Sequence, residues 1–117
     1  MTRRNFHVAR KTACNHGHTH ASGAEAKRCN ELHLLFRAGV IDALVFEPTY
    51  DLRPAGLAVK MGNGQNARYR PDFVYREAGK LIAEDVKPSG GLMERDFPLR
   101  AALFRTCYPE IELRVVK

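Results

Sequence analysis

Asp72, Asp85 and Lys87 are the residues of this chain whose types and spacing are best suited to chemistry. They belong to the run Pro71-Asp-Phe-Val-Tyr-Arg-Glu-Ala-Gly-Lys-Leu-Ile-Ala-Glu-Asp-Val-Lys87. Two apolar stretches, Phe73–Tyr75 and Leu81–Ala83, flank a polar turn at Glu77–Lys80, which predicts a β-hairpin. Antiparallel pairing brings the start of one strand to the end of the next, so Asp72 should meet Asp85 in space. Side chains alternate across a strand, so Asp85 and Lys87 share a face while Glu84 and Val86 point away. Two carboxylates and a lysine at one end of a sheet suit Mg²⁺ or Mn²⁺, which favour hard oxygen ligands; the backbone carbonyl of Val86 lies between the two side chains as a further donor. A cation held there polarises a phosphodiester and lowers the pKa of a bound water. Lys87 would orient or deprotonate that water, or stabilise the charge developing on phosphorus. A plainer reading stands beside this one. The segment is an ordinary hairpin with solvated charges at its ends, Asp72 being turn chemistry after Pro71 and Lys87 a strand-end charge before Pro88.

The elements that must position these residues follow from pattern. Ser22 reads as a helix N-cap, with Glu25 three residues on completing a capping box. Ala26, Cys29, Leu32, Leu35 and Phe36 repeat at helical spacing, and Gly39 ends the helix. Residues 40–53 read as extended, with Leu44–Phe46 a short strand broken by Pro48. Gly62, Asn63, Gly64 and Asn66 mark a loop. Strands at about 67–76 and 80–87 follow, then a flexible break over Pro88–Gly91. Leu92, Met93, Phe97, Leu99, Ala102, Leu103 and Phe104 predict a second helix, with Pro98 at its proper start and Tyr108-Pro109 at its end. Ile111–Val116 alternates as a half-buried final strand. The order α-β-β-β-α-β predicts an α/β fold, a mixed sheet flanked by a helix on each side. Residues 22–117 form that domain, and residues 1–21 read as a basic, His-rich N-terminal arm.

With 117 residues and 44% apolar content the chain has room for one modest core. No apolar run approaches the ~20 residues of a membrane span, and the N-terminus lacks the apolar centre of a signal peptide. A cytoplasmic location and no membrane partner are expected. Three cysteines, an odd number, argue against a disulfide framework. The formal charge of +6 is unevenly spread. In residues 1–37, Arg3, Arg4, Arg10, Lys11, Lys27, Arg28 and Arg37 stand against Glu25 and Glu31, a net of +5. Arg68 and Arg70 directly precede Asp72. Basic side chains beside an acidic pair fit a polyanion such as nucleic acid. A merely solvated basic surface is the alternative.

At this point the chain resembles a known family. Pro71-Asp72 and Asp85-Val-Lys87 within α-β-β-β-α-β order resemble the PD-(D/E)XK superfamily of nucleases, with its restriction-endonuclease-like fold. A closer similarity is to a small phage- and prophage-borne family within it, long described as a domain of unknown function. That similarity runs over roughly residues 20 to 117, through Ala24-Glu-Ala-Lys-Arg-Cys-Asn-Glu-Leu32, Ala38-Gly-Val-Ile-Asp42, Pro48, Tyr69-Arg-Pro-Asp-Phe-Val-Tyr75, Glu84-Asp-Val-Lys87 and Tyr108-Pro109. The resemblance implies that Asp72 and Asp85 ligate metal and that Lys87 is catalytic. It also implies that Glu25 completes the metal site, a role that competes with its capping box. Arg100 on the second helix matches a position that contacts phosphate in related nucleases, or is a solvated face residue. The activity implied is a Mg²⁺-dependent endodeoxyribonuclease acting on DNA, structure-specific in phage replication or recombination. It would work in the host cytoplasm if phage-encoded, and as a homodimer where two cuts need two sites.

Cys14-Asn-His16-Gly-His18-Thr-His20 is the second unusual segment. Cysteine and histidine are zinc ligands, and four close a structural site, so Cys14, His16, His18 and His20 form a candidate zinc set. Histidines in a basic arm contacting phosphates, along with Arg10 and Lys11, are the alternative. Cys29, on the apolar helix face, reads as a buried free thiol, and Cys107 as core. Two further functions remain open: a non-catalytic nucleic-acid-binding protein, and a zinc-stabilised adaptor on the same fold.

Overall fold

The structure, a computed structural model, describes residues 12–15, 17–20, 22–87 and 97–116. The predicted break at 88–91 and the helical pattern at Leu92 and Met93 lie outside the described residues. Two minimal strands, β1 (Thr12–Ala13) and β2 (Thr19–His20), precede helix α1 (Gly23–Arg37). Then come β3 (Ile41–Phe46), β4 (Tyr50–Asp51), β5 (Arg68–Tyr69), β6 (Phe73–Glu77), β7 (Lys80–Val86), helix α2 (Phe97–Cys107) and β8 (Glu112–Val116). The main sheet has the order β3-β6-β7-β8, antiparallel except for the parallel β7–β8 pair that α2 connects. This is the expected mixed α/β sheet between two helices.

Local chemistry explains the elements. Ser22 Oγ accepts from the Glu25 amide at 3.2 Å, capping α1. Gly39 at φ +79° ends it in a Schellman motif, the amides of Val40 and Gly39 donating to the carbonyls of Leu35 and Phe36. Ala78 and Gly79 both have positive φ, the geometry of a two-residue I′ turn, and Glu77 faces Lys80 across it. In β3 the register shifts between Asp42 and Val45, and Ala43 at φ +55° is the extra residue of a β-bulge.

The sheet has two apolar faces. Phe73, Tyr75, Ile82 and Val86 pack against Ala26, Cys29 and Leu32 of α1. Val74 and Ala83 pack on the other face against Phe97, Ala101 and Phe104 of α2. Two differences from the sequence reading matter. Residues 67–76 do not form one strand: β5 pairs with β4 in a separate ribbon, because Pro71 lacks an amide donor and breaks the ladder before β6 begins. The second is in the N-terminal segment read as an arm, whose described part packs on the domain. β1 and β2 pair, and Cys14 joins the core under α1. Among the described residues no helix is long and apolar enough to cross a membrane.

Candidate functional site: a carboxylate cleft and a Cys/His knuckle

The β6–β7 register sets Phe73 opposite Glu84, which leaves Asp72 and Asp85 as the next facing pair. Asp72 Oδ2 accepts the Val86 amide at 2.7 Å. Asp85 Oδ2 accepts the Tyr69 hydroxyl at 2.6 Å, and Lys87 Nζ lies 3.3 Å from Asp85 Oδ1. Lys87 is held on both sides of its backbone and side chain. Its amide donates to the Val116 carbonyl at 2.8 Å, and its ammonium sits 4.1 Å over the Phe97 ring. Burial pushes the Asp72 carboxyl up to about 8, against the Val86 amide, which lowers it; the charges of Asp85 and Glu25 add to the rise, as does a hydrogen bond with Asp85. Burial and its bond to Asp85 likewise keep the Tyr69 phenol protonated. The pair is therefore an acidic site, Asp85 buried and Asp72 partly so, that favours a proton or a cation.

These residues open into a cleft of about 540 Å³, which Asp72, Asp85 and Lys87 line together with Arg68, Arg70 and Arg100. The two arginines before Asp72 are mostly exposed. Their ion pairs, Arg68 to Asp51 and Arg70 to Glu47, are each 3.6 Å long at the surface and hold them weakly. Asn63, Gln65 and Asn66 from the β4–β5 connection add polar side chains to its lining.

Glu84 faces the other way, as alternation required. It is fully buried, and its carboxylate takes a bidentate fork from Arg28 at 2.8 and 2.7 Å together with the Tyr75 hydroxyl. The Tyr75 phenol is pushed up to about 12, by burial first and then by that bond. Glu84 thus straps α1 to β7. Glu25 does not line the cleft. It is buried on the first turn of α1, and its Oε2 lies 2.8 Å from His20 Nδ1. Its amide makes half of the capping box while its carboxylate is directed to His20.

A second constellation lies on the α1 side. Cys14, His18 and His20 come from the β1–β2 unit and Cys29 from α1, and one ligand atom of each lies within 4.8 Å of all the others. Gly17 at φ +84° tightens the loop between the strands. The Cys14 amide donates to the His18 carbonyl at 2.9 Å, and the Asn15 amide to Asn30 Oδ1 at 2.8 Å, which docks the loop on α1. Cys29 was expected as a simple buried thiol; its position on the apolar helix face is also what brings it under Cys14. His16, Arg10 and Lys11 lie outside the described residues. Tyr69 and Phe97 carried no signal of their roles in local pattern, because each acts across elements distant in sequence.

Compared with known families, residues 4–117 match the one described as "Protein of unknown function (DUF1064)". Searches of the curated proteins and of the solved structures find nothing that matches.

Proposed function

The chain belongs to that family, and from the chemistry of its cleft we propose that it hydrolyses phosphodiester bonds in DNA with the help of a divalent cation. One observation carries the reading: two adjacent carboxylates, Asp85 buried and Asp72 partly buried, and a lysine face a cleft lined by three arginines. The donor set fits Mg²⁺ or Mn²⁺. Asp72 and Asp85 offer hard oxygens, each carboxylate has one oxygen already anchored by a protein donor, and a cation would offset the burial and the neighbouring negative charge that raise Asp72. Asp72 and Asp85 would hold the cation, with the Val86 carbonyl as a further donor. When bound, it supplies Lewis-acid polarisation of a phosphate and a more acidic water.

The chain's own groups do the remainder. Tyr69 and the Val86 amide fix the carboxylate orientations. Lys87, kept near Asp85 and against Phe97, sets a positive charge beside the position where negative charge develops on phosphorus. Arg68 and Arg70 can exchange their weak surface partners for backbone phosphates, and Arg100 meets the same strand from α2. The cleft is open and polar, in keeping with a polymer substrate rather than an enclosed small molecule.

Supercoiled plasmid, single-stranded and branched DNA, incubated with folded protein and Mg²⁺ or Mn²⁺ at several salt concentrations, test this. Cleavage abolished by chelation and by Asp72→Ala is expected. If the folded wild type cuts none of the panel, the hydrolytic reading fails. If Asp72→Ala cuts as well as wild type, the assignment of the site fails. Arg68 and Arg70, whose charge does not depend on a bound cation, also favour a second reading of binding without hydrolysis. It requires salt-dependent DNA affinity that chelation leaves unchanged, with no cut product.

A further inference from the structure

The geometry points to a closed, structural zinc site formed by Cys14, His18, His20 and Cys29, with Glu25 as the residue that positions His20. Tetrahedral zinc, with Zn–S of ~2.3 Å and Zn–N of ~2.0–2.1 Å, sets S···S at ~3.8 Å and S···N at ~3.5 Å. The Cys14 and Cys29 sulfurs are 3.6 Å apart. His18 Nδ1 lies 3.5 Å from the Cys14 sulfur and 3.7 Å from the Cys29 sulfur. The sulfur–sulfur separation is too long for a disulfide, and the three distances match the three edges of one face of the tetrahedron.

His20 supplies the fourth corner. Its side chain is 4% exposed, and its Nε2 has no hydrogen-bond partner among the described residues. An unpaired buried nitrogen is costly, and a metal bond satisfies it. Its other nitrogen, Nδ1, donates to Glu25, which fixes the tautomer that leaves the Nε2 lone pair available. This is the carboxylate–histidine–metal arrangement that commonly supports zinc ligands. His33 is excluded from the set although its Nδ1 lies 3.7 Å from the Cys29 sulfur, because that nitrogen bonds the Cys29 backbone carbonyl at 2.9 Å.

Charge agrees with burial. Cys14 and Cys29 release their thiol protons to solvent on binding, so two thiolates and two neutral imidazoles cancel the ion's double charge. A neutral site is tolerated where Cys14, His20 and Cys29 are each less than a tenth exposed. With four protein ligands no position is left for a substrate, so the site is structural. It binds the β1–β2 unit to α1, an attachment that two strands of two residues each could scarcely maintain alone.

The full-length protein, purified without chelators under reducing conditions, tests the assignment by metal analysis and Co²⁺ replacement. One zinc per chain, and a Co²⁺ form with the tetrahedral visible bands and a thiolate charge-transfer band, are expected. Cys107→Ala, remote from the knuckle, should keep both. Cys29→Ser should lose much of the charge-transfer intensity if it folds. Glu25→Gln should retain one zinc per chain but bind it about 10–100-fold more weakly against a competing chelator. Absence of zinc together with absence of a Co²⁺–thiolate band overturns the site. So does a Cys14–Cys29 disulfide in the freshly isolated protein, or iron in place of zinc. Unchanged zinc affinity in Glu25→Gln overturns the role given to Glu25.

Discussion

At the scale of single residues, the cleft depends on a few oriented donors. Tyr69 touches Asp85 through one hydrogen bond of 2.6 Å to a charged acceptor. Tyr69→Phe keeps the ring in the α2-side core and removes only that donor. A loss of about 1.5–3 kcal/mol is expected, read as a lower urea midpoint at unchanged m value. Asp72 makes a pH prediction. Its carboxyl rises from 3.8 to about 8 in the fold, so over that window the native chain holds a proton that the unfolded chain has released. Stability therefore falls as pH rises through the window, where the native state binds more protons than the unfolded one. On the proposed function, Mg²⁺ would compete for the same oxygens. The decline in Tm from about pH 4 to about pH 8 should thus be steeper in EDTA than in Mg²⁺. Parallel profiles in the two conditions would count against Asp72 as the titrating, cation-binding group.

At the scale of elements, alternation along β7 separates two roles. Odd positions 83, 85 and 87 face α2 and the cleft, while even positions 82, 84 and 86 face α1. Glu84 belongs to the second set as the buried end of a strap from Arg28. Arg28→Ala leaves that carboxylate buried without its cation and should cost about 3–5 kcal/mol in chemical denaturation. Replacing both, Arg28→Met with Glu84→Leu, should recover most of this loss. If the double variant folds but no longer cleaves, Glu84 has a role beyond the strap. The hairpin and its facing carboxylates were legible in sequence because period-2 alternation and a turn with Gly79 are local signals. The β1–β2 unit was not, because strands of two residues show no period. Cys29 is the buried free thiol that was expected, but its proximity to Cys14 was not legible: a cysteine on an apolar helix stripe looks the same whether it fills space or faces a second cysteine. The separate β4–β5 ribbon was hidden inside an apparently continuous strand, although Pro71 marked the break.

At the scale of the whole molecule, the two constellations lie on opposite sides of one sheet and meet near Glu25. That residue bonds His20 on the α1 side and adds its charge to the environment of Asp72. The α/β order was readable from pattern, since long periodic elements dominate it; what the pattern lacked was the tertiary information that pairs Arg28 with Glu84 or Tyr69 with Asp85. The formal charge of +6 acts at this scale as well. DNA affinity should weaken with salt, and each lost phosphate contact should reduce the log–log slope by ~0.9. Arg68→Ala with Arg70→Ala should therefore flatten the slope by ~2 across unrelated sequences; a slope unchanged by the pair would move the binding surface elsewhere. The most direct test of the central claim is the rate of plasmid nicking by Lys87→Ala beside wild type, both folded and both saturated with Mg²⁺. The expected result is a wild-type rate that vanishes on chelation and falls by about 10²–10³-fold in the variant. Equal nicking by the two proteins would contradict it, as would nicking that survives removal of all divalent cations.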